Sequence, residues 1–89
     1  MIASDTLTIA SRTTAIEQAR TWVGGYLVPA GASTDAVWAI DLALTEALAN
    51  VIAHGYAGDE SQSIQLCLEL HADRCEIEIV DFGDRKSVV

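Results

Sequence analysis

Glu46, Asn50 and His54 are the residues whose types and spacing could do chemistry, because they recur every four positions in an otherwise apolar segment. On a helix these three side chains share one side. The other residues on that side are small, namely Ala39, Ala43 and Ala53. An exposed helix face is more often filled with long polar side chains. The small residues leave room for a ligand, so the pattern indicates a binding site; a solvated face of an amphipathic helix is the alternative.

Asp81 is a second candidate, and its placement follows from a predicted hairpin. Residues 64–70 and 75–79 alternate between apolar and polar types, with a tight connection at residues 71–74. All the apolar side chains share one face if the cross-strand pairs are Leu70 with Cys75, Leu68 with Ile77, and Leu66 with Ile79. A slip of one residue would bury glutamates, so the alternation defines the register. Asp81 then lies on the apolar face, because side chains two residues apart on a strand point the same way.

A carboxylate on the core face is costly unless it receives hydrogen bonds. We therefore predict that Asp81 is a specificity carboxylate at the mouth of a pocket between the sheet and the helices, where it could accept a hydrogen bond from an exocyclic amine. Gly83 would let the chain pass close to that ligand. In the alternative interpretation, strand pairing ends at Val80 and Asp81 begins a turn.

The elements that must position these residues are predicted in the order strand, helix, helix, strand, strand. A short alternating strand near the N-terminus comes first, and residues 14–17 have the spacing of a capping box at the start of a helix. This first helix is predicted to end within residues 24–27. Ser33 or Thr34 can cap a second helix, which carries Glu46, Asn50 and His54 and closes at residues 54–55 before the hairpin.

The composition is that of one small folded domain. The chain has 89 residues, of which 51% are apolar and 20% charged. Five Lys and Arg against thirteen Asp and Glu give a net charge of −8, which repels phosphate backbones and anionic lipid. No apolar run approaches the roughly 18 residues needed to span a bilayer, and the N-terminus lacks the basic start of a signal peptide. We therefore expect a cytoplasmic protein with no direct nucleic-acid contact and no membrane contact.

The predicted positions of the two cysteines agree with a cytoplasmic location. In the predicted register Cys75 points into the core and Cys67 points out. A disulfide would need both side chains close together on one face, so we expect two free thiols, as in a reducing compartment.

With these residues assembled, the chain resembles the GHKL ATPase superfamily. The resemblance rests on Thr-Glu-Ala at residues 45–47, Asn-Val-Ile at 50–52, His-Gly-Tyr at 54–56 and Val-Asp-Phe-Gly at 80–83. The form Glu-Ala-x-x-Asn-x-x-x-His-Gly-Tyr is similar to that of the bacterial anti-sigma-factor serine-protein kinase branch. The resemblance extends over essentially all 89 residues. It implies an α+β fold, a two-layer Bergerat-type sandwich with a mixed sheet packed against helices in the order β-α-α-β-β.

The resemblance also implies roles for the candidate residues. Asn50 would hold Mg²⁺ against the phosphates of ATP, and an amide oxygen is a suitable ligand for that hard cation. Glu46 would be the catalytic general base that takes the proton from a serine hydroxyl of a protein substrate. Asp81 would accept from the adenine amine, and Gly83 would line the base. Residues 54–55 would pack or end the helix.

The sequence departs from the family pattern in two respects. Arg85 replaces the second glycine of the family's Asp-x-Gly-x-Gly box. The ATP lid and the second glycine-rich box of the family have no counterpart in residues 1–89, so we interpret the chain as a single partial ATPase domain that is incomplete at the C-terminus. The lid supplies many phosphate contacts. We therefore expect weak or undetectable nucleotide binding and no efficient phosphoryl transfer from these residues alone.

Two functional hypotheses follow. In the first, the chain is an ATP-dependent anti-sigma factor and serine-protein kinase that sequesters a sigma factor and phosphorylates an anti-anti-sigma partner of the STAS type. In the second, it is a catalytically inactive binding module of that family that acts by sequestration alone. Intact Glu46 and Asn50 favour the first, and the missing lid favours the second. The resemblance implies a homodimer in either case.

Overall fold

The structure is a computed structural model, and it describes residues 1–55, 61–81 and 84–89. The strands and helices follow the order that the sequence predicts, with a further strand after the hairpin. The elements are β1 (Ala3–Ala10), a 3₁₀ turn (Thr13–Ala15), α1 (Ile16–Leu27), α2 (Thr34–Asn50), a π turn (Val51–Gly55), β2 (Ser63–Leu70), β3 (Cys75–Asp81) and β4 (Asp84–Ser87).

The fold is α+β in two layers, as predicted. The strands form one sheet in the order β1-β2-β3-β4, and the helices cover one face of it. Every described strand pair is antiparallel, whereas a mixed sheet was expected. The reason is connectivity: β2 and β3 are joined by a hairpin, and two helices separate β1 from β2, so the chain re-enters the sheet in the opposite direction.

The predicted hairpin register is confirmed. Leu70 pairs with Cys75, and the pairs of Leu68 with Ile77 and Leu66 with Ile79 follow from it. β4 is the strand that the sequence analysis did not predict. It pairs with β3, and the pairing continues beyond its end, because the Val88 N–H donates to the Ile77 carbonyl at 2.8 Å.

The core lies between the sheet and the helices. On α1 the buried residues Ala19, Val23 and Leu27 recur every four positions, which gives the helix one apolar side. The α2 residues Leu44 and Leu48 are fully buried. The sheet contributes Ile9, Ile64, Leu66, Leu68, Leu70, Ile77 and Ile79. Each fully buried aliphatic side chain stabilises the fold by about 1.5–3 kcal/mol relative to an exposed one.

The helix starts only partly match the sequence prediction. The Ser33 hydroxyl caps α2 by accepting from the Ala36 N–H at 3.1 Å, as predicted. The capping box expected at residues 14–17 does not form: a 3₁₀ turn occupies Thr13–Ala15, and no side chain caps α1. Between the helices, Gly31 has φ of 83°, a left-handed conformation that favours glycine.

Polar contacts fix α1 to the sheet and to α2. The Asp5 carboxylate on β1 accepts from the Trp22 indole N–H at 3.0 Å and from the Tyr26 hydroxyl at 2.6 Å. The Arg20 guanidinium of α1 donates two hydrogen bonds to the Asp41 carboxylate of α2, at 2.8 and 2.9 Å. The Arg20–Asp41 pair is exposed to solvent, so it orients α1 more than it stabilises it, whereas the Asp5 contacts are partly buried.

Thr34–His54, which joins α2 to most of the π turn, is long and apolar enough to cross a membrane by length and composition alone. The segment has 21 residues and a mean hydropathy of 1.5, although polar residues interrupt its apolar sequence. A core helix of a soluble protein meets the same criterion, and the inner side of this helix packs in the core through Leu44, Leu48, Val51 and Ile52. The absence of membrane contact stays a prediction.

Candidate functional site

The predicted polar residues of α2 lie at its C-terminal end, where the helix changes geometry. Glu46 and Asn50 are exposed on the last turns of α2, and His54 is exposed on the π turn. At the junction the Val51 N–H contacts both the Ala47 and the Leu48 carbonyls. A π turn is rare and often marks a functional site, so the change of geometry falls where the sequence places its candidate residues.

A cavity of about 340 Å³ lies between this helix end and the sheet. Asn50 and His54 line it from the helix layer, together with the smaller surfaces of Ala47 and Val51. Ile79 of β3 and Lys86 of β4 line it from the sheet layer, with residues 87–88 beside them. The cavity therefore combines an amide, an imidazole and an ammonium group over an apolar floor, which is the usual composition of a site for a small polar ligand.

Glu46 lies outside this cavity. Its position one helical turn before Asn50 puts it on the same side of α2, but it does not belong to the described residues that line the cavity wall. Its carboxylate is exposed to solvent. A group in this position is accessible to a second macromolecule that approaches the mouth of the cavity.

Asp81 lies on the core face of β3, as the hairpin register predicts. Its side chain follows Ile77 and Ile79 on that face, and the residue is only 4% exposed. β3 continues through Asp81, which pairs with Asp84 of β4, so pairing does not end at Val80. Asp81 is not in contact with the cavity beside Asn50. Gly83 lies outside the described residues, and its predicted place beside a ligand stays a prediction.

Lys86 is the cavity residue that sequence reasoning missed. Lys86 pairs directly with Ile79, and directly paired residues of antiparallel strands share a face, so the ammonium group is on the helix side of the sheet. Arg85 falls on the other face, where it donates to Glu78 at 3.1 Å. The sequence does not predict this strand, because residues 84–87 carry no apolar alternation from which a strand, and an inward-facing lysine on it, could be inferred.

A second cavity, of about 550 Å³, lies against α1 and α2 away from the candidate residues. Val28 and Trp38 give it an apolar wall, and the Arg20–Asp41 pair lies at its polar side. The guanidinium and the carboxylate there are already paired with each other. The smaller cavity has the more suitable chemistry, because its amide and ammonium groups come from separate layers and face the same space.

The fold is an α+β domain with a polar-lined cavity between the end of α2 and the sheet. Comparison with protein families identifies the class of domain to which it belongs. The chain belongs to the histidine kinase-like ATPase domain family, whose family model matches residues 9–88. The match begins at Ile9 near the end of β1, covers both helices and the hairpin, and includes every candidate site residue. Membership is consistent with ATP binding. A search of curated protein sequences finds no match to the chain.

The residues present fit a nucleotide with a bound magnesium ion. The Asn50 amide offers an oxygen, the type of ligand that Mg²⁺ prefers. The Lys86 ammonium group on the opposite wall complements a phosphate charge. Asp81 is a buried hydrogen-bond acceptor two residues beyond Ile79, on the same face of β3. Asn50, Lys86 and the apolar floor line one cavity, and Asp81 lies on the same face of β3 outside the lining of that cavity.

Proposed function

We propose that this chain binds ATP and Mg²⁺ in the cavity between the end of α2 and the sheet. The observation that carries the proposal is that Asn50, from the helix layer, and Lys86, from the sheet layer, line the same cavity within a histidine kinase-like ATPase domain. Asn50 would ligate the metal ion and Lys86 would neutralise phosphate charge. Mg²⁺ supplies charge neutralisation at the phosphates when it is bound.

Base recognition is assigned to the core face of β3. A buried Asp81 carboxylate accepts hydrogen bonds and donates none when it is ionised, so it selects an exocyclic amine over a carbonyl oxygen. Adenine carries such an amine. Asp81 would therefore distinguish ATP from GTP, and Gly83 would lie beside the base.

We further propose that the chain acts as a serine-protein kinase. The Glu46 carboxylate is exposed one helical turn from Asn50, and a base that acts on another protein must be accessible. Glu46 would accept the proton of a serine hydroxyl as that oxygen bonds to the terminal phosphorus of ATP, while the bond from this phosphorus to the bridging oxygen breaks and ADP leaves. Positioning and charge neutralisation, rather than covalent chemistry, accelerate such a transfer.

The partners proposed are a sigma factor, which the chain sequesters, and an anti-anti-sigma protein of the STAS type, which it phosphorylates. Support comes from the form of the segment at residues 46–56, which is similar to that of anti-sigma-factor kinases. The net charge of −8 suits the attraction of basic segments of a partner and disfavours direct contact with DNA. A homodimer in the cytoplasm is part of the same proposal.

A second candidate function is sequestration without catalysis. The observation that favours it is that residues 86–88 form one wall of the cavity beside Asn50. If this wall restricts access to the phosphates, the chain would hold its partner and transfer nothing.

The first experiment is a calorimetric titration of the chain with ATP in the presence and absence of Mg²⁺. We expect weak, magnesium-dependent binding that falls further by about tenfold or more in Asn50→Ala and in Lys86→Gln, because each loses a charge-assisted contact. Gln65→Ala, on the opposite face of the sheet, and Arg85→Gln, next to Lys86 but also on that face, are the matched controls. Equal affinities in Lys86→Gln and Arg85→Gln, or no binding by the unmodified chain, would contradict the proposed site.

The second experiment tests the kinase activity. STAS proteins of the source organism are incubated with the chain and labelled ATP, and phosphoserine is measured by mass spectrometry. Glu46→Gln should retain ATP binding and lose phosphoryl transfer by about 10²–10⁴-fold, the usual contribution of a general base. ATP binding and partner capture without any phosphoserine would favour sequestration alone.

A further inference from the structure

Three potential metal ligands converge at the end of the β2–β3 hairpin. The Nε2 atom of His71 lies 2.9 Å from a carboxylate oxygen of Glu76 and 3.4 Å from one of Glu69. All three ligand atoms lie within 4.8 Å of one another. Glu69 and Glu76 lie on the face of the sheet opposite the helices, and the cluster shares no described residue with the cavity beside Asn50.

The register of the hairpin places like charges opposite each other at this point. Glu69 pairs directly with Glu76 across β2 and β3. Two carboxylates in a cross-strand pair repel, and such a pair is destabilising unless a cation lies between them. The imidazole of His71 occupies that position and contacts both carboxylates. The arrangement therefore favours a cation held between the two carboxylates and the imidazole.

The ligands are held in place by the hairpin rather than by a loose loop. Glu69 and Glu76 lie on paired strands, and the His71 N–H donates to the Arg74 carbonyl at 2.8 Å, which closes the turn between them. The His71 side chain is only 18% exposed, so its rotation is restricted. Ligands carried by strands are positioned more precisely than ligands carried by flexible segments.

We propose that Glu69, His71 and Glu76 bind a divalent transition-metal ion of the Zn²⁺ type. Zinc binds imidazole nitrogen and carboxylate oxygen at about 2.0–2.2 Å and accepts a set of three protein ligands with one open position. Ligand atoms at such distances from one ion lie about 3.3 Å apart in tetrahedral geometry, and the two separations from His71 Nε2 bracket that value. The imidazole distinguishes this site from one for Mg²⁺ or Ca²⁺, which prefer oxygen ligands alone.

Arg74 is the nearby cation that a metal ion would compete with. Its guanidinium lies 3.9 Å from the Glu76 carboxylate and 3.2 Å from that of Asp73. Because the shorter contact is with Asp73, Arg74 can keep a partner when a metal ion takes Glu76. The ion would join β2 to β3 at the turn and would also neutralise the repulsion between Glu69 and Glu76.

The test is a calorimetric titration of the nucleotide-free chain with Zn²⁺ at about pH 7.5, where free imidazole is neutral. We expect one ion per chain, with affinity reduced by about tenfold or more in His71→Gln and in Glu76→Gln, because each removes one of the three ligands. Glu78→Gln is the matched control: it removes the same charge two residues along β3, where Glu78 pairs with Arg85 instead. Its affinity should equal that of the unmodified chain.

A Co²⁺ spectrum separates this cluster from the two free cysteines. Nitrogen and oxygen ligands give visible bands without the near-ultraviolet charge-transfer band of thiolate ligands. A thiolate band, a tight site that persists in His71→Gln, or equal losses in Glu76→Gln and Glu78→Gln would overturn the proposal. Circular dichroism of each variant establishes that it is folded before titration.

Discussion

Asp5 is a single carboxylate that joins the first strand to the first helix. The hydrogen bond from the Tyr26 hydroxyl, with a further one from the Trp22 indole, lowers the pKa of Asp5 below its ordinary value. The same hydrogen bond raises the pKa of Tyr26, because loss of its proton would remove the donor. The contact is thus strongest in the pH range in which the carboxylate is ionised and the phenol is protonated.

The pH dependence of stability follows from the sign of the Asp5 shift. Since the folded pKa is lower than the unfolded one, the stabilisation is fully present above the unfolded pKa, about 3.9 for an ordinary aspartate, and is lost as the pH falls through the folded pKa. We expect Asp5→Asn to be less stable than the unmodified chain at pH near 7, with a difference that shrinks below about pH 4. Urea unfolding at both pH values measures it.

The controls for this prediction use the same residue types elsewhere. Asp73→Asn changes an exposed carboxylate in the hairpin turn and should leave the pH profile almost unchanged. Tyr26→Phe removes the donor and keeps the ring, so it should reproduce part of the loss in Asp5→Asn. If the difference between Asp5→Asn and the unmodified chain were constant across the pH range, the carboxylate charge would not contribute.

The hairpin is the element whose geometry the sequence predicted most completely. Strict alternation over β2 and β3 excludes any slip of one residue, which would bury glutamates, and the short connection at residues 71–74 selects the register that the structure has. The placement of Asp81 on the core face follows from it without further information. Period-two patterns carry this much detail because a slip of one residue changes the face of every side chain.

Other elements could not be predicted as well, for identifiable reasons. β4 has only four residues, three of them charged, so no apolar alternation marks it; its strand character comes from pairing with β3. At the start of α1, the 3₁₀ turn displaces the capping-box residues from the position at which they could cap the helix. The apolar spacing of α2 does not reveal that the helix widens into a π turn at Val51. Each feature depends on tertiary contacts.

The candidate site was predicted by residue type but not in its assembly. The sequence places Glu46, Asn50 and His54 on one helix side and Asp81 on the core face of a strand. It does not place Lys86 opposite Asn50, because that neighbour relation arises only when β4 joins the sheet. It also gives no reason why Glu46 is outside the cavity while Asn50 is in its wall. The division of roles between them belongs to the packed structure.

At the scale of the whole molecule, one core supports both the sheet and the site. The helices cover a single face of the sheet, and Ile79 is at once a core residue and the floor of the cavity. Ile77, which is fully buried next to it on the same face, packs in that core without contacting the cavity. A change at Ile77 therefore tests whether the core and the site are one cooperative unit.

We expect Ile77→Ala to lower the free energy of unfolding by about 2–5 kcal/mol, the usual cost of a cavity in a packed core. Small domains have only about 5–15 kcal/mol in total, so the variant would be close to unfolding. Val80→Ala, on the open face of β3, is the control and should cost about 1 kcal/mol or less. Urea unfolding followed by fluorescence of Trp22 and Trp38 and by circular dichroism measures both variants.

Ligand linkage extends this prediction from the core to the site. If ATP binds only the folded chain, saturating ATP should raise the unfolding midpoint of Ile77→Ala and of Val80→Ala alike, because neither substitution touches the cavity. The increase in unfolding midpoint caused by ATP should be the same for both variants, although their stabilities without ATP differ. If ATP raised the unfolding midpoint of Val80→Ala but not that of Ile77→Ala, the geometry of the binding site would depend on packing at Ile77. The core would then determine the affinity of the site for ATP as well as the stability of the fold.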